Sequence, residues 1–416
     1  MFLSAVFKLQ PTRAQHRALE TALEQTRLLY NAALEERISA YRRGVRIRRF
    51  DQTRSLTEIR GMDELGWSRY PVALGRWPLR QLDEAYKAAF KRGQDGRPWS
   101  FPRFRSKARF RSFGLLSWSG ARVEAGRIVI KGLGALRLHL HRAAPQNGDI
   151  LGCTLTKRGR GWTVQLQMRT SPADPIAETP ANRCALDWGL EHALTLHTGE
   201  TISNPKIGAR HRSRIRKAQR KLARARRGSR RRHKTRMALA SLYQTLANAR
   251  RSWLHDVSKG LVSRFAHIAV EDLKILNMTA SATGTLQAPS DRARQKAGLN
   301  RSILDGAPGQ LFAFLDYKTR RAGGSLKRFD PHGTSQACAA CGARVPKTLA
   351  VRIHRCSCGF QAHRDTNAAC NGYRRPYHVD APLVVTFKTG GGMAPEGRNR
   401  ADGPVVLETL VDDSVR

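Results

Sequence analysis

Along this chain the spacing of apolar residues switches several times between a period of two and a period near three and a half. Residues 2 to 9 (FLSAVFKL) read as a strand, and Pro11 and Thr12 mark the start of a helix. Leu19, Leu23, Tyr30, Leu34, Ile38 and Tyr41 then recur three or four residues apart, as one buried helical face requires. The same period returns over residues 76 to 92 through Leu79, Leu82, Tyr86 and Phe90, so a helical domain is predicted here. Period two follows, in Ile128 and Ile130, in Leu136, Leu138 and Leu140, and in Trp162, Val164, Leu166 and Met168. These strands predict a small antiparallel barrel or sandwich, which strand 2 to 9 could join, making the helices an insertion.

A polar, proline-containing stretch, SPADPIAETPAN (171 to 182), reads as a linker to a second half. There RCALDWGLEHALTLHTGET predicts an apolar strand ending at Asp187, a turn, and a second apolar strand. A carboxylate at the end of a buried strand is costly unless a cation or hydrogen bonds compensate it, so Asp187 is a candidate metal ligand. Closing a turn is its other possible role. Leu239, Leu242, Leu246, Ala249, Trp253, Val257 and Leu261 form one helical stripe leading into HIAVEDL, a buried strand ending at Glu271 and Asp272. Residues 277 to 300, poor in large apolar side chains, are expected to form a mobile loop or lid. A helix over 311 to 319 and a strand over 325 to 329 are expected next.

Charge changes the picture. The formal net charge is +43 over 416 residues, with arginine far commoner than lysine. Such an excess cannot be neutralised internally, and it favours a polyanionic partner, nucleic acid first. From Lys206 to Arg236 there are 16 lysines and arginines, and no acid lies between Glu200 and Asp256. A solvated face normally mixes both signs, so this helix, with Arg226, Arg227 and Arg230, is a candidate phosphate-tracking surface. In FPRFRSKARFRSF (101 to 113), aromatic rings stand among Arg103, Arg105, Lys107, Arg109 and Arg111. That pattern suits either an edge strand or rings that stack on bases while cations meet phosphates. No run of about eighteen apolar residues and no leader-like N-terminus is present, which predicts a cytosolic protein without membrane insertion. Past residue 375 the composition turns acidic and rich in glycine and proline, predicting a flexible tail over 376 to 416.

The most specific chemistry is in TSQACAACGARVPKTLAVRIHRCSCGFQAHRDTNAAC. Cys338 and Cys341, then Cys356 and Cys358, form two pairs, each followed by a glycine, as a structural zinc site requires. The second pair is CxC where CxxC is usual, so His354 or His363 could replace one sulfur. Cys153, Cys184 and Cys370 remain as reduced thiols rather than a disulfide framework.

Taken in order, YNAALE, AYKAAFKR, FPRFRSK, ALDWG, VEDL, GLNRSILD, FDPHGTSQ, TSQACAACG, CSCG and HRDTNAA resemble segments of the TnpB family of transposon-encoded proteins, relatives of compact type V CRISPR effectors. The resemblance spans nearly the whole chain. It implies a multidomain α+β protein: an RNase H-like (RuvC) nuclease domain (181–331 and 363–375) interrupted by a zinc ribbon (332–362), behind an N-terminal β-barrel (1–12 and 97–180) with an inserted helical recognition domain (13–96). It implies Asp187, Glu271 and Asp365 as catalytic carboxylates holding Mg²⁺, two ions by the chemistry of such sites. Guide RNA and target DNA are the implied partners, with a nucleoid-associated location. Glu271 rather than Asp272 takes the family glutamate position, and Arg364 is a candidate contact to the scissile phosphate. Two departures stand out: the shortened CxC pair, and His363 where many relatives have aspartate. The implied function is RNA-guided DNA cleavage. The alternatives are a nuclease-inactive guided repressor, against which the complete carboxylate set argues, and a transposase accessory protein.

Overall fold

The computed structural model describes residues 2–379, apart from 142, 144–145, 160, 172, 283, 285–291 and 349, together with the pairs 385–386 and 406–407. Contacts divide the chain into two units, Met1–Ser171 and Pro172–Arg416.

In the first unit, β1 (Phe2–Gln10) leads into α1 (Arg13–Arg42) through the expected start signal. Thr12 Oγ1 accepts from the Gln15 backbone N–H at 3.2 Å while Gln15 Oε1 accepts from the Thr12 N–H at 3.0 Å, so two otherwise orphaned donors are satisfied. After α2 (Arg49–Met62) and α3 (Val72–Gln94) come β2 (Ser112–Leu115), β3 (Ala121–Glu124), β4 (Arg127–Ile130), β5 (Gly134–His139), β6 (Ile150–Arg158) and β7 (Gly161–Arg169). They form one antiparallel sheet in the order β2-β6-β7-β1-β5-β4-β3, with the first strand of the chain at its centre. Phe7, Leu9, Phe113, Leu136, Trp162, Val164 and Leu166 are buried together beneath Leu19 of α1 and Leu74 and Trp77 of α3.

The sheet is open, not the closed barrel that the family resemblance implied. Its edge strands β2 and β3 are each four residues long and do not pair with each other. The backbone beside them instead meets the segment that opens α3. Leu116 N–H donates to Ala73 O at 3.5 Å, and Gly132, at φ +81°, lies so close to Arg69 O that a Cβ would sit 2.5 Å from it.

One open alternative and one expectation in this unit are decided by the structure. Residues 101–111 form no strand, because the Arg105 backbone is held by Asn31 and Arg27 of α1 instead of by a neighbouring strand. Tyr41 and Phe90 are exposed, since they lie in the last turns of α1 and α3 beyond the core made by Tyr30, Leu34, Leu56, Leu79 and Leu82.

The second unit is built on a mixed sheet of β8 (Arg183–Trp188), β9 (His192–Leu196), β10 (Thr201–Ser203), β11 (His267–Glu271) and β12 (Ser325–Phe329), in the order β10-β9-β8-β11-β12. β8, β11 and β12 are parallel, while β9 and β10 are antiparallel. Helices α4 (Ile207–Ala223), α5 (Arg230–Arg264), α6 (Ile275–Met278), α7 (Ala293–Gly306) and α8 (Pro308–Arg321) join the strands, and α9 (Arg364–Tyr377) follows two short strands, β13 (Ile353–Arg355) and β14 (Gln361–His363). Alternation assigns the faces. Cys184, Leu186, Ile268 and Val270 pack with Leu254, Leu261, Leu311 and Leu315 of α5 and α8. Ala185, Ala269 and Phe329 pack with Cys370, Tyr373 and Tyr377 of α9.

Here too the structure corrects local expectations. The stretch before β8 is not a free linker: Ala173 and Ile176 N–H donate to Arg321 and Gly323 carbonyls, and Glu178 pairs with Arg183 and Lys327. Residues 293–300, expected in a lid, open α7, with Lys296 and Asn300 tied to the Met278 and Thr279 carbonyls. Residues 283 and 285–291 of the same stretch lie outside the described residues. The α5 stripe is fully buried only at Leu261, because the first half of that long helix packs against α4 and not against the sheet. Pro376 and Tyr377, assigned to the tail, end α9, and most of 380–416 lies outside the described residues.

Candidate active site and metal centre

Asp187 is the penultimate residue of β8 and Glu271 the last of β11. The parallel register pairs Ala185 with Ala269 and Leu186 with Val270, so its continuation sets Glu271 beside Asp187. By alternation both share the face of Ala185 and Ala269, the face covered by α9. Asp365 stands in the first turn of α9, where the helix N-terminus favours a negative charge. The three sequence-assigned carboxylates therefore converge on one cleft of about 410 Å³, lined also by Thr334, Ser335, Arg352 and Arg364. Asp272 points away, exposed and paired with Lys274 and Arg328.

Crowding governs the electrostatics. Burial, followed by the nearby Glu271 and Asp365 carboxylates, holds the Asp187 pKa well above its usual value. Burial likewise raises Glu271, opposed by the Trp188 backbone N–H, which donates to its Oε2 at 3.4 Å. A carboxyl pair raised this way loses stability as pH climbs from the ordinary carboxyl value through the raised one, because the folded protein must then ionise groups that crowd one another and are partly withdrawn from water. Asp187→Asn is therefore expected to raise the melting temperature at neutral pH without added divalent cation, by about 2–4 °C for each kcal/mol relieved. The gain should shrink toward pH 4. A variant that melts lower than the parent at neutral pH would remove the crowding argument.

These carboxylates do not form a single tight cage. Among the described residues, only the four cysteines bring three or more ligand atoms within 4.8 Å of one another. A donor set made only of carboxylate oxygens would suit a hard cation such as Mg²⁺.

The cysteines form the second centre. Cys338 and Cys358 Sγ lie 3.7 Å apart, and Cys341 and Cys356 Sγ 3.5 Å apart. A tetrahedral ion with metal–sulfur bonds of about 2.3 Å places sulfurs roughly 3.8 Å apart, so this donor set fits zinc. Gly342 (φ +79°) and Gly359 (φ +88°) take the left-handed conformation that turns each knuckle. The four sulfurs lie within 4.8 Å of one another, and the histidines offered as substitutes make other contacts: His354 is buried with Nδ1 at 2.5 Å from Lys347 Nζ, and His363 caps α9, its Nδ1 accepting from Asp365 N–H at 3.4 Å. Cys153, Cys184 and Cys370 are buried free thiols; burial pushes Cys153 and Cys370 up to about 12.

Sequence reasoning missed what joins the two centres. Asn367 and Asn371, one turn apart on α9, are buried and aim their amides at the first knuckle. Asn367 donates to Thr334 O and Ala337 O and accepts from Ala339 N–H at 3.0 Å, while Asn371 donates to the same two carbonyls at 2.8 Å. The signal was present as asparagines spaced i, i+4 in DTNAACN, but only the fold shows both facing a knuckle. Arg364, between Asp365 and β14, donates to Thr348 O at 3.0 Å and Ser335 Oγ at 3.3 Å, so it also is fixed at the rim of the cleft.

The basic candidates are placed apart from this cleft's lining. α4 and α5 form a helical hairpin, and Arg226, Arg227 and Arg230 are exposed at its tip, where Arg232 closes the end of α4 by donating to Leu222 O and Ala225 O. Arg103 and Lys107 are exposed in the first unit, and the Arg105 guanidinium lies 5.3 Å over the Tyr30 ring. Phe110 and Phe113 pack inward against Trp77 and Trp162, which leaves Phe104 as the exposed ring of that stretch.

Comparison with known proteins agrees over nearly the full length. The chain is 30% identical over 408 residues to "Putative RNA-guided DNA endonuclease" of Streptomyces pristinaespiralis, covering 95% of this chain and 93% of the relative. The chain belongs to the TnpB family. The Escherichia coli K12 relative "Putative RNA-guided DNA endonuclease InsQ" is 28% identical, with 88% of this chain and 90% of that one covered. Family models match as "Cas12f1-like, TNB domain" over 309–371, "Probable transposase" over 165–282 and "Helix-turn-helix domain" over 1–46. The last span here holds a strand and one continuous helix, β1 and α1. Among solved structures, a Cas12f1–sgRNA–target DNA complex matches at TM-score 0.53 and 12% identity, covering 88% of this chain and 84% of that one, a likeness of fold. The TnpB family member described here thus has a Cas12-like mixed α/β fold with a four-cysteine site in the TNB-matching region. No helix among the described residues is long and apolar enough to cross a membrane.

Proposed function

We propose that this TnpB family member is an RNA-guided DNA endonuclease that hydrolyses phosphodiester bonds in a RuvC-type site, with a guide RNA supplying sequence recognition by base pairing. One observation carries the reading: Asp187, Glu271 and Asp365, far apart in sequence, meet in one cleft with Arg352 and Arg364 on its wall. The strand order β10-β9-β8-β11-β12 with two acids on its central strands supports an RNase H-like domain, split by the zinc module before α9. When bound, a pair of Mg²⁺ ions would activate water and stabilise the leaving oxygen. The three carboxylates hold the hard-cation site, Arg364 is fixed where it can meet a phosphate oxygen, and the Asn367–Asn371 contacts keep Asp365 in register with the sheet acids.

Sequencing the RNA that copurifies with the protein tests the guide. A discrete structured species with a variable end is expected; random RNA would leave a basic nucleic-acid binder. Purified complex, given a matching DNA library with randomised flanks and Mg²⁺, is expected to cut next to one short motif. The α4–α5 tip has its own test. Replacing Arg226, Arg227 and Arg230 together by glutamine is expected to weaken binding and to flatten its salt dependence by about 0.9 log units for each duplex phosphate that is no longer neutralised. An unchanged slope would make the tip a solubility feature.

A further inference from the structure

The last turns of α1 and α3 carry an aromatic cluster that runs from Tyr86, packed on the Tyr30–Leu34–Leu82 core, out into solvent. Trp99 and Phe101 fold back against them, with ring centroids 4.7 Å apart, and Phe101 lies 5.4 Å from Tyr41 and 6.4 Å from Tyr86. Trp99 is also 6.1 Å from Phe90 and 6.2 Å from Tyr41. Phe101 and Tyr86 are half-buried, but Tyr41 is 65% exposed, Phe90 53% and Trp99 38%. Rings left open together in this way mark an interaction surface more often than scattered exposed residues do. The platform is held rigidly: further along the same segment, Arg105 is pinned by Asn31, whose amide accepts from Arg105 N–H at 2.8 Å and donates to Arg105 O at 3.1 Å.

Charge selects the occupant. Arg42, Lys91, Arg92, Arg97 and Arg103 lie within two residues of the rings and are exposed, whereas Asp95 is the one acid between Glu84 and Glu124. An apolar protein partner or a second copy of this basic chain would meet that collar unfavourably, while a nucleobase offers a π-face to the rings and its phosphates to the cations. We infer that the Tyr41–Phe90–Trp99 platform docks unpaired bases of RNA, in a loop or bulge of the guide. The choice of RNA rests on the guided reading above, because unpaired, splayed bases stacked on aromatic side chains are the usual form of RNA recognition.

The test uses the protein–RNA complex as purified, with chemical probing of unpaired nucleotides. In the parent complex a short unpaired stretch is expected to be protected. Tyr41→Leu with Phe90→Leu, both at exposed positions, should expose that stretch while the other protections and the melting temperature stay as they were. In parallel, the affinity of RNA-free protein for a short oligouridylate at high salt should fall at least about 5-fold in the leucine variant, the lower end of what one base–ring stack supplies. Tyr41→Phe should retain it. Identical footprints and unchanged oligouridylate affinity would overturn the inference. Protection that disappears from the target DNA strand instead of the RNA would assign the platform to DNA, and a change in oligomeric state alone would assign it to a second copy; either outcome overturns the RNA assignment. If no discrete RNA copurifies, the guided reading fails by itself, and the oligouridylate comparison still decides whether the platform takes bases.

Discussion

Asp187→Ala is expected to abolish Mg²⁺-dependent cleavage while leaving guided DNA binding nearly intact. The residue sits half-buried at the end of β8, where it lines one cleft with Glu271 and Asp365. Its removal takes away one wall of the hard-cation site. Stabilisation of the displaced oxygens by positioned cations amounts to several kcal/mol, and at about 1.4 kcal/mol per factor of ten this corresponds to roughly 10³-fold or more in rate. Base pairing and phosphate contacts do not depend on this carboxylate and should persist. Glu271→Gln and Asp365→Ala should follow the same pattern, glutamine being chosen at 271 so that the Trp188 N–H keeps an acceptor. The measurement compares cleavage and binding of one matched target by the parent and the three variants. Failure of Asp187→Ala to fold or to bind RNA would return that residue to a structural role. A parent protein that binds its target specifically yet never cuts under any divalent metal would put the guided repressor in place of the nuclease.

Cys338→Ser is expected to eliminate one bound zinc per chain and, with it, most of the cleavage activity. A structural zinc contributes on the order of 10 kcal/mol to a small module, far more than the short β13–β14 hairpin can supply. Cys338 is the buried member of the set, and its neighbours Ala337 and Ala339 are the partners of Asn367 and Asn371. Unfolding the knuckle would strip those amides of their partners, and α9 would no longer hold Asp365 against the sheet. The expected signature is joint loss of zinc and of cutting, with oligonucleotide binding at the α4–α5 tip retained. Metal analysis showing no zinc in active protein, or the same zinc content in Cys338→Ser, would reject the site.

Several elements were legible because their signals are local. The helix start at Pro11 and Thr12, the paired cysteines with their glycines, the alternation through Trp162 to Met168, and the acids closing apolar strands at Asp187 and Glu271 are each contained within a few residues. Other readings failed where the outcome depended on a distant partner. In residues 101–111 the Arg105 backbone is held by Asn31 and Arg27 of α1; residues 293–300 hold Leu299 as their one large apolar side chain, yet they form helix, with Lys296 and Asn300 bonded to carbonyls in and just after α6.

The sequence by itself singled out the candidates for the chemistry: four thiols and a one-signed basic run by the valence and charge of their side chains, and three acids by their resemblance to TnpB family motifs. Only the tertiary structure decided how they combine. The parallel pairing of β8 with β11 puts two acids side by side, α9 brings the third across the same sheet face, and a pair of asparagines ties that helix to the cysteine knuckle. The strand pairing leaves the first sheet open at β2 and β3, and the distance of Tyr41 and Phe90 from the core leaves their rings in solvent. Those outcomes rest on contacts between residues dozens to hundreds of positions apart, whose geometry no local period encodes.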